Sequence, residues 1–211
     1  MAGLKFSALF SPGVWADRLQ RWRERIAGVD FSGVVYPSEA GLDPALAQAH
    51  VGSGDKRLRA VLRDLRISAA DRIIDIGCGK GSAMKIMLEF PFARVDGIEA
   101  SESIAAVARA NFSKLRTPPE RYRVISADAA QFTSVDDYNY IYFYNPFACE
   151  VMAAFMKNLV ESLERAPRRL TVVYDNPVCD ETILATGIFR KLDPDYRDRV
   201  GNPIRIYTTS A

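Results

Sequence analysis

The strongest constraint on the fold is a regular alternation of short apolar runs with helical patterns, which begins at Asp71. Strand patterns cover residues 72–76, 94–98, 122–125, 140–144 and 170–174. The main helical patterns between them cover residues 82–90, 101–115 and 149–165. Strands that alternate with helices pair in parallel through crossover connections. Two later strand patterns, at 189–192 and 204–207, have no helix between them and predict an antiparallel edge hairpin. We therefore predict an α/β fold with a doubly wound, mostly parallel, seven-stranded sheet that ends in this hairpin.

The first sixty residues differ in composition from the rest of the chain, because glycine and proline recur there at short intervals. Residues 17–27 have helical spacing, with Leu19, Trp22 and Ile26 on one apolar stripe and arginines elsewhere. We expect this stripe to pack on the rest of the protein. The predicted units are an N-terminal helical arm, residues 1–60, and a main domain, residues 61–211.

Charge and hydropathy argue against several classes of protein. Lys and Arg number 28 against 26 for Asp and Glu, so the formal net charge is +2. A protein that grips many phosphates has a larger basic excess, and we expect no nucleic acid partner. No apolar run approaches the ~20 residues that cross a bilayer, and the first ten residues lack the apolar core of an export signal. We expect no membrane partner and, because three scattered cysteines fit a reducing compartment, a cytoplasmic location, while the oligomeric state stays open.

The cysteines and the histidine point to neither disulfide nor metal chemistry. Cys78, Cys149 and Cys179 are odd in number and far apart, so we expect neither a disulfide framework nor a zinc or redox site. We interpret Cys78 and Cys149 as small packing residues. His50 is the single histidine of the chain, which excludes a metal cage built from imidazoles. We therefore predict no metal site.

The most informative string is Ile-Ile-Asp-Ile-Gly-Cys-Gly-Lys-Gly at residues 73–81, where a strand runs into alternate glycines and then a helix. So tight a turn requires residues without a Cβ, both to adopt positive φ and to let a ligand lie against the backbone. A dinucleotide-binding turn would read GxGxxG, but position 82 is Ser and the spacing is GxGxG. The string predicts a turn that binds a nucleoside cofactor.

Two acidic residues follow the next two predicted strands. Glu99 comes after the second strand, where a carboxylate can accept both hydroxyls of a ribose, and Asp128 comes after the third. Ligands of such folds bind outside the carboxyl ends of the strands. The two carboxylates and the glycine turn together predict an adenosine site.

This combination resembles the class I S-adenosylmethionine-dependent methyltransferases, from Asp71 to the end of the chain. The resemblance implies S-adenosyl-L-methionine as cofactor and S-adenosyl-L-homocysteine as product. It also implies that the arm covers the carboxyl edge of the sheet as a lid, with Trp15, Trp22 and Tyr36 as candidate lid residues. The cofactor-binding residues that it implies are Asp75, Gly77, Cys78, Gly79, Gly81, Glu99, Ala100, Asp128, Ala129 and Asn145.

Asn145-Pro146-Phe147 follows the fourth predicted strand, at the position that faces the sulfonium methyl in that family. The string resembles the Asn/Asp-Pro-Pro-Phe/Tyr motif of amino-group methyltransferases, although the second proline is missing and the aromatic residue comes one place early. The resemblance implies that these three residues are catalytic and that they orient an acceptor nitrogen. We therefore predict methyl transfer to an amino nitrogen of a protein or a small molecule. Two alternatives stay open: an O-methyltransferase acting on a small metabolite, and a binding module that holds an adenosine cofactor without catalysis.

Overall fold

The computed structural model describes residues 12–46, 56–197 and 202–209. His50 and the first eleven residues of the predicted arm lie outside this part, as does the side chain of Trp15. The helices are α1 (Pro12–Ala27), α2 (Lys56–Asp64), α3 (Ser82–Met87), α4 (Glu102–Lys114), α5 (Cys149–Arg165) and α6 (Asp180–Leu184). The strands are β1 (Arg72–Ile76), β2 (Arg94–Glu99), β3 (Tyr122–Ser126), β4 (Tyr140–Tyr144), β5 (Thr171–Asp175), β6 (Phe189–Arg197) and β7 (Pro203–Thr209).

All seven strands form one sheet in the order β3-β2-β1-β4-β5-β7-β6. Strands β1 to β5 pair in parallel, and β7 lies antiparallel between β5 and β6. The predicted doubly wound sheet with its terminal hairpin is therefore confirmed. The strand order reverses between β1 and β4, and a sheet of this kind opens a crevice at the carboxyl ends of those two strands.

Both faces of the sheet are covered by helices, which explains why the central strands read as continuous apolar runs. One core packs α2, α3 and α4 on the face that carries Ile73 and Val173. The other packs α5 and α6 on the face that carries Ile74 and Val172. Neighbouring residues of a strand point to opposite faces, so each apolar pair serves both cores.

The arm does not pack as the sequence predicts. Leu19, Trp22 and Ile26 are 45%, 58% and 68% exposed, whereas Glu24 on another side of α1 is buried. The Glu24 carboxylate accepts hydrogen bonds from the backbone N–H groups of Phe31 and Ser32 and from the Ser32 hydroxyl. This polar anchor orients α1 with its apolar stripe toward solvent, and the expectation of a packed stripe is wrong.

The segment after α1, rather than the apolar stripe of α1, packs against the main domain. Phe31 is fully buried and meets the Phe112 ring edge-on at 5.8 Å. The Asn111 side chain bonds both backbone groups of Asp30, and the Lys80 ammonium lies 2.8 Å from the Asp30 carboxylate. The proposed division at residue 60 falls inside α2, whose apolar residues belong to the core of the sheet.

Cys149 and Cys179 form a disulfide, so the expectation of no disulfide is wrong. Cys149 begins α5 after β4, and Cys179 precedes α6 after the neighbouring strand β5. Parallel neighbours deliver their following segments to the same edge, which brings the two Cα atoms to 5.4 Å although 30 positions separate them in sequence. Cys78 is a free, buried cysteine, as the packing interpretation requires, whereas the same interpretation of Cys149 is wrong.

None of the described helices combines the length and the apolar character needed to cross a membrane.

Candidate active site

A cavity of about 440 Å³ opens at the carboxyl edge of the sheet, above the point where the strand order reverses. Its volume lies within the usual range of small-molecule sites. The predicted site residues that line it are Gly77, Glu99, Ala100, Asp128, Ala129, Asn145, Pro146 and Phe147. Residues 70 positions apart in the sequence therefore share one cavity because β1, β2, β3 and β4 all end at this edge.

The glycine turn is held tightly under this cavity. The backbone N–H groups of Gly77 and Cys78 donate to the Ile98 carbonyl at 2.9 and 2.8 Å, which ties the end of β1 to the end of β2. Gly77 has a φ of +79°, and a Cβ placed there would lie 2.6 Å from Cβ of Pro146. The turn predicted for the cofactor thus touches the turn predicted for the acceptor, and only a residue without a side chain permits that approach.

Glu99 organises the middle of the site. Its carboxylate is buried and accepts from the backbone N–H groups of Gly79 and Ser101, both at 3.0 Å. Burial raises the pKa of the Glu99 carboxyl, while hydrogen bonds from the Ser101, Gly79 and Ala100 amides oppose that rise. Each carboxylate oxygen has a second lone pair, so the group can still accept from the hydroxyls of a ligand.

Asp75 lies below the turn, outside the cavity lining. Its side chain is 2% exposed, and its Oδ2 atom has no hydrogen-bond partner within the described part of the chain. Burial raises the pKa of the Asp75 carboxyl well above its usual range, and the charge of Glu99 adds to the rise. An unpartnered buried carboxylate is costly, and a cationic group would relieve that cost.

Replacing Asp75 by asparagine should stabilise the protein at neutral pH, because the neutral amide removes both the buried charge and its repulsion with Glu99. Between the ordinary pKa of 3.8 and the raised native pKa, the folded protein holds a proton that the unfolded chain has released. The free energy of unfolding of the natural protein therefore falls as pH rises through that window, and the variant lacks this loss. Thermal unfolding from about pH 4 to pH 8 should show a Tm difference that grows with pH, about 2–4 °C per kcal/mol.

The exposed Asp193→Asn substitution is the matched control and should change the Tm by no more than the small contribution of its exposed ion pair with Lys191. A variant at Asp75 that is less stable than the natural protein at neutral pH would contradict this account of the buried carboxylate.

Asp128 is exposed at the rim of the cavity and begins a short 3-10 turn, Ala129–Gln131. Its carboxylate accepts from the Ala130 N–H at 2.9 Å and from the Gln131 side chain at 3.2 Å. These bonds fix the orientation of the carboxylate, and Ala129 beside it is buried in the cavity wall.

Asn145 and Pro146 form the wall opposite Glu99 and Asp128. Asn145 has a φ of +36°, a left-handed conformation that asparagine tolerates better than most residues. The Phe147 ring is only 8% exposed and packs edge-on against Phe143, with 6.2 Å between ring centroids. The ring therefore offers little free surface to a planar acceptor.

The arm closes the cavity with residues that the sequence analysis did not single out, namely Val35, Pro37, Ala40, Leu42, Asp43 and Leu46. The Ala40 carbonyl accepts from the Ser101 hydroxyl at 2.8 Å, and the Leu46 carbonyl accepts from the Ala148 N–H at 2.9 Å. The arm is thus anchored on both sides of the opening. Trp22 and Tyr36 are exposed and lie outside the lining. The signal available in the sequence was the cluster of glycine and proline between residues 33 and 44, which marks an irregular segment but not its path.

Four of the predicted cofactor-binding residues lie outside the lining: Asp75, Cys78, Gly79 and Gly81. They shape the turn from below. Gly79 donates to Glu99, Gly81 passes within contact of the Phe112 ring, and Cys78 fits against the bare backbone of Gly97.

Comparison with known proteins finds a similarity over the central part of the chain. Residues 73–166, from β1 to the end of α5, match the family model of a methyltransferase domain. This match confirms the predicted resemblance to the S-adenosylmethionine-dependent methyltransferases over that part of the chain.

The individual proteins that match this chain have low sequence identity to it or match it over a short stretch. Trans-aconitate 2-methyltransferase of Paracidovorax citrulli (strain AAC00-1) is 32% identical over 68 residues, which cover 32% of this chain and 26% of that protein. The chain thus spans about a quarter of the length of this curated relative. Magnesium protoporphyrin IX methyltransferase from Synechocystis PCC 6803, solved with bound S-adenosylmethionine, has a TM-score of 0.54 at 18% identity, covering 73% of this chain and 76% of that one. An S-adenosylmethionine-dependent O-methyltransferase from Thermotoga maritima has a TM-score of 0.56 at 15% identity, covering 74% and 65%. At these identities the two structures share the fold.

Proposed function

We propose that this protein is an S-adenosylmethionine-dependent methyltransferase that transfers the methyl group to an amino nitrogen of a protein or a small molecule. The observation that carries the proposal is the contact between Gly77 and Pro146. This contact places the glycine turn, which is of nucleoside-cofactor type, beside the Asn-Pro turn in the wall of the same cavity. The family match over residues 73–166 supports the reaction class.

The residues present fit the cofactor. Gly77 lines the cavity without a side chain, so a ligand can lie against the backbone there. In our proposal Glu99 holds the ribose hydroxyls, Asp128 and the Ala129 amide hold the adenine, and Asp75 faces the ammonium group of the methionine portion. The unpartnered Oδ2 of Asp75 supports that last role, because a cation would complete its environment.

When bound, the cofactor supplies a methyl group already activated by the sulfonium charge. The protein then has to hold the acceptor lone pair about 3–3.5 Å from that methyl, in line with the bond that breaks. We assign this to Asn145, whose side-chain amide oxygen and backbone carbonyl oxygen can accept hydrogen bonds from an acceptor N–H. An amine must arrive uncharged to react, and the apolar wall formed by Val35, Leu42 and Leu46 favours the neutral form by excluding water.

Calorimetric titration with S-adenosylhomocysteine tests the cofactor assignment. We expect binding by the natural protein, and a loss of about 10- to 100-fold for both Glu99→Gln and Asp128→Asn, because each removes a charged acceptor. The exposed Glu120→Gln substitution is the matched control and should bind normally. Equal binding by all four proteins would overturn the assignment of these carboxylates.

A screen of amine and hydroxyl acceptors with labelled cofactor tests the transfer. We expect methylation of amines, and Asn145→Ala should lower kcat far more than it lowers cofactor affinity. Methylation of hydroxyl acceptors alone would overturn the proposed amino acceptor and would support an O-methyltransferase instead. Cofactor binding without any product would support a binding module that lacks catalysis.

A further inference from the structure

The outward face of α1 carries three exposed large apolar side chains. Leu19, Trp22 and Ile26, here called the α1 stripe, are 45%, 58% and 68% exposed. None of the three belongs to either core of the sheet. Their spacing of three and four residues places them along one face of the helix, and apolar side chains grouped on an exposed face suit an interaction site.

The exposure of the stripe follows from how α1 is anchored. Glu24 points inward and bonds Phe31 and Ser32, and Gln20 donates to the same carboxylate at 3.0 Å. The inward side of the helix is therefore polar and satisfied. Rotating the stripe inward would break these buried bonds, so the stripe stays available to an external partner.

Arginines flank the stripe on both sides. At about 100° per residue, Arg23 lies on one side of the stripe, with Arg18 and Arg25 on the other, each roughly 70–90° from its centre. These arginines, with Arg21, are exposed. An apolar stripe bordered by long cationic side chains on both sides is the pattern of a helix that lies in the plane of a membrane surface, where the cations reach up to the headgroups.

We propose that α1 is a docking element for an anionic lipid surface, with the α1 stripe in the acyl boundary and the flanking arginines at the headgroups. Charge complementarity favours this occupant over a second copy of the chain. Pairing α1 with itself about a two-fold axis would set arginines against arginines, whereas an anionic surface attracts the arginines on both sides of the stripe. The proposal replaces the expectation of no membrane partner, which rested on the lack of a spanning segment and of an export signal. It is independent of the proposed methyl transfer.

The chain provides its own reporter, because its two tryptophans, Trp15 and Trp22, both lie in α1. The test mixes the full chain with vesicles of phosphatidylcholine alone, or of equal parts phosphatidylcholine and phosphatidylserine, and records tryptophan emission and co-sedimentation. We expect a blue shift and co-sedimentation with the anionic vesicles, at least tenfold weaker with the neutral ones and weakened by high salt.

Two variants separate the parts of the surface. Leu19→Ser with Ile26→Ser keeps both tryptophans and should abolish the blue shift, while Leu184→Ser, at an equally exposed leucine of α6, should leave it unchanged. Arg23→Glu with Arg25→Glu should reduce binding to anionic vesicles at least tenfold, and Arg63→Glu, an exposed arginine of α2, should have little effect.

Several outcomes would overturn the proposal. One is equal binding to neutral and anionic vesicles, and another is the absence of any shift or co-sedimentation. A blue shift that grows with protein concentration in the absence of lipid would assign the stripe to a second copy. The emission could also be blue-shifted already in dilute, lipid-free protein and not change when vesicles are added. That result would assign the α1 stripe to a contact with residues 1–11 of the same chain.

Discussion

Replacing Gly77 by alanine is expected to destabilise the protein by about 3 kcal/mol and to abolish binding of S-adenosylhomocysteine. The added Cβ would lie 2.6 Å from Cβ and 3.8 Å from Cα of Pro146. The closest atom belongs to a ring joined to the backbone, so relief requires a shift of the Asn-Pro turn itself. Overpacking of this kind costs about 1–3 kcal/mol, and the positive φ of +79° adds about 1–2 kcal/mol for a residue with a side chain.

Gly187→Ala is the matched control. Gly187 has a φ of +73°, close to that of Gly77, but a Cβ there would meet nothing within 4 Å. Urea unfolding of both variants should give a loss near 1 kcal/mol for Gly187→Ala and a clearly larger loss for Gly77→Ala. Equal losses would show that backbone strain alone accounts for the glycine, and that the Gly77–Pro146 contact does not limit the turn.

Removing the Arg57 side chain is the second change with a large expected effect. Its guanidinium lies 3.2 Å from the Asp175 carboxylate at the end of β5 and donates to the Asn202 carbonyl at 3.2 Å. Asp175 is 1% exposed, so Arg57→Ala takes its cation away from a buried carboxylate. Breaking a buried pair in this way costs about 3–5 kcal/mol, and urea unfolding should show a loss of that size.

The control for this pair is Arg59→Ala, two residues along the same helix. Arg59 pairs with Glu89 at 2.7 Å, but both side chains are at least one third exposed, so the loss should stay below about 1 kcal/mol. Adding Asp175→Asn to Arg57→Ala should recover most of the stability, because the buried charge that Arg57 faced is gone. If the double variant is as unstable as the single one, the loss arises from packing of α2 rather than from the charge.

The sheet could be predicted from the sequence because its strands are local apolar runs. The observed bounds of β1 and β4, Arg72–Ile76 and Tyr140–Tyr144, equal the predicted ones. The terminal hairpin was predicted, but its first strand was predicted too short. The predicted strand ends at residue 192, whereas β6 extends to Arg197 through a polar stretch that includes Asp193 and Asp195. An edge strand buries little apolar surface, so its polar half leaves no apolar pattern to detect.

Features that depend on distant contacts could not be predicted. The orientation of α1 is decided by the buried bonds of Glu24 with Ser32 rather than by its apolar spacing. The arm residues around the cavity, such as Val35 and Leu42, have no motif and reach it only through the path of the backbone. The glycine turn, Glu99 and Asp128 could be placed at one edge because each directly follows a strand of a parallel sheet.

The state of the three cysteines makes the folded protein a convenient host for chemical labels. Cys149 and Cys179 form a disulfide, so neither has a free thiol. Burial raises the pKa of the Cys78 thiol well above its usual range, and the nearby charges of Asp75 and Glu99 add to the rise. The native chain therefore presents little reactive sulfhydryl to a maleimide. A cysteine engineered at Ser38, in the arm segment over the cavity, can carry a fluorophore or spin label without first deleting the natural ones. The motion of that segment on ligand binding then becomes directly observable, provided that labelling is done in the absence of reductant.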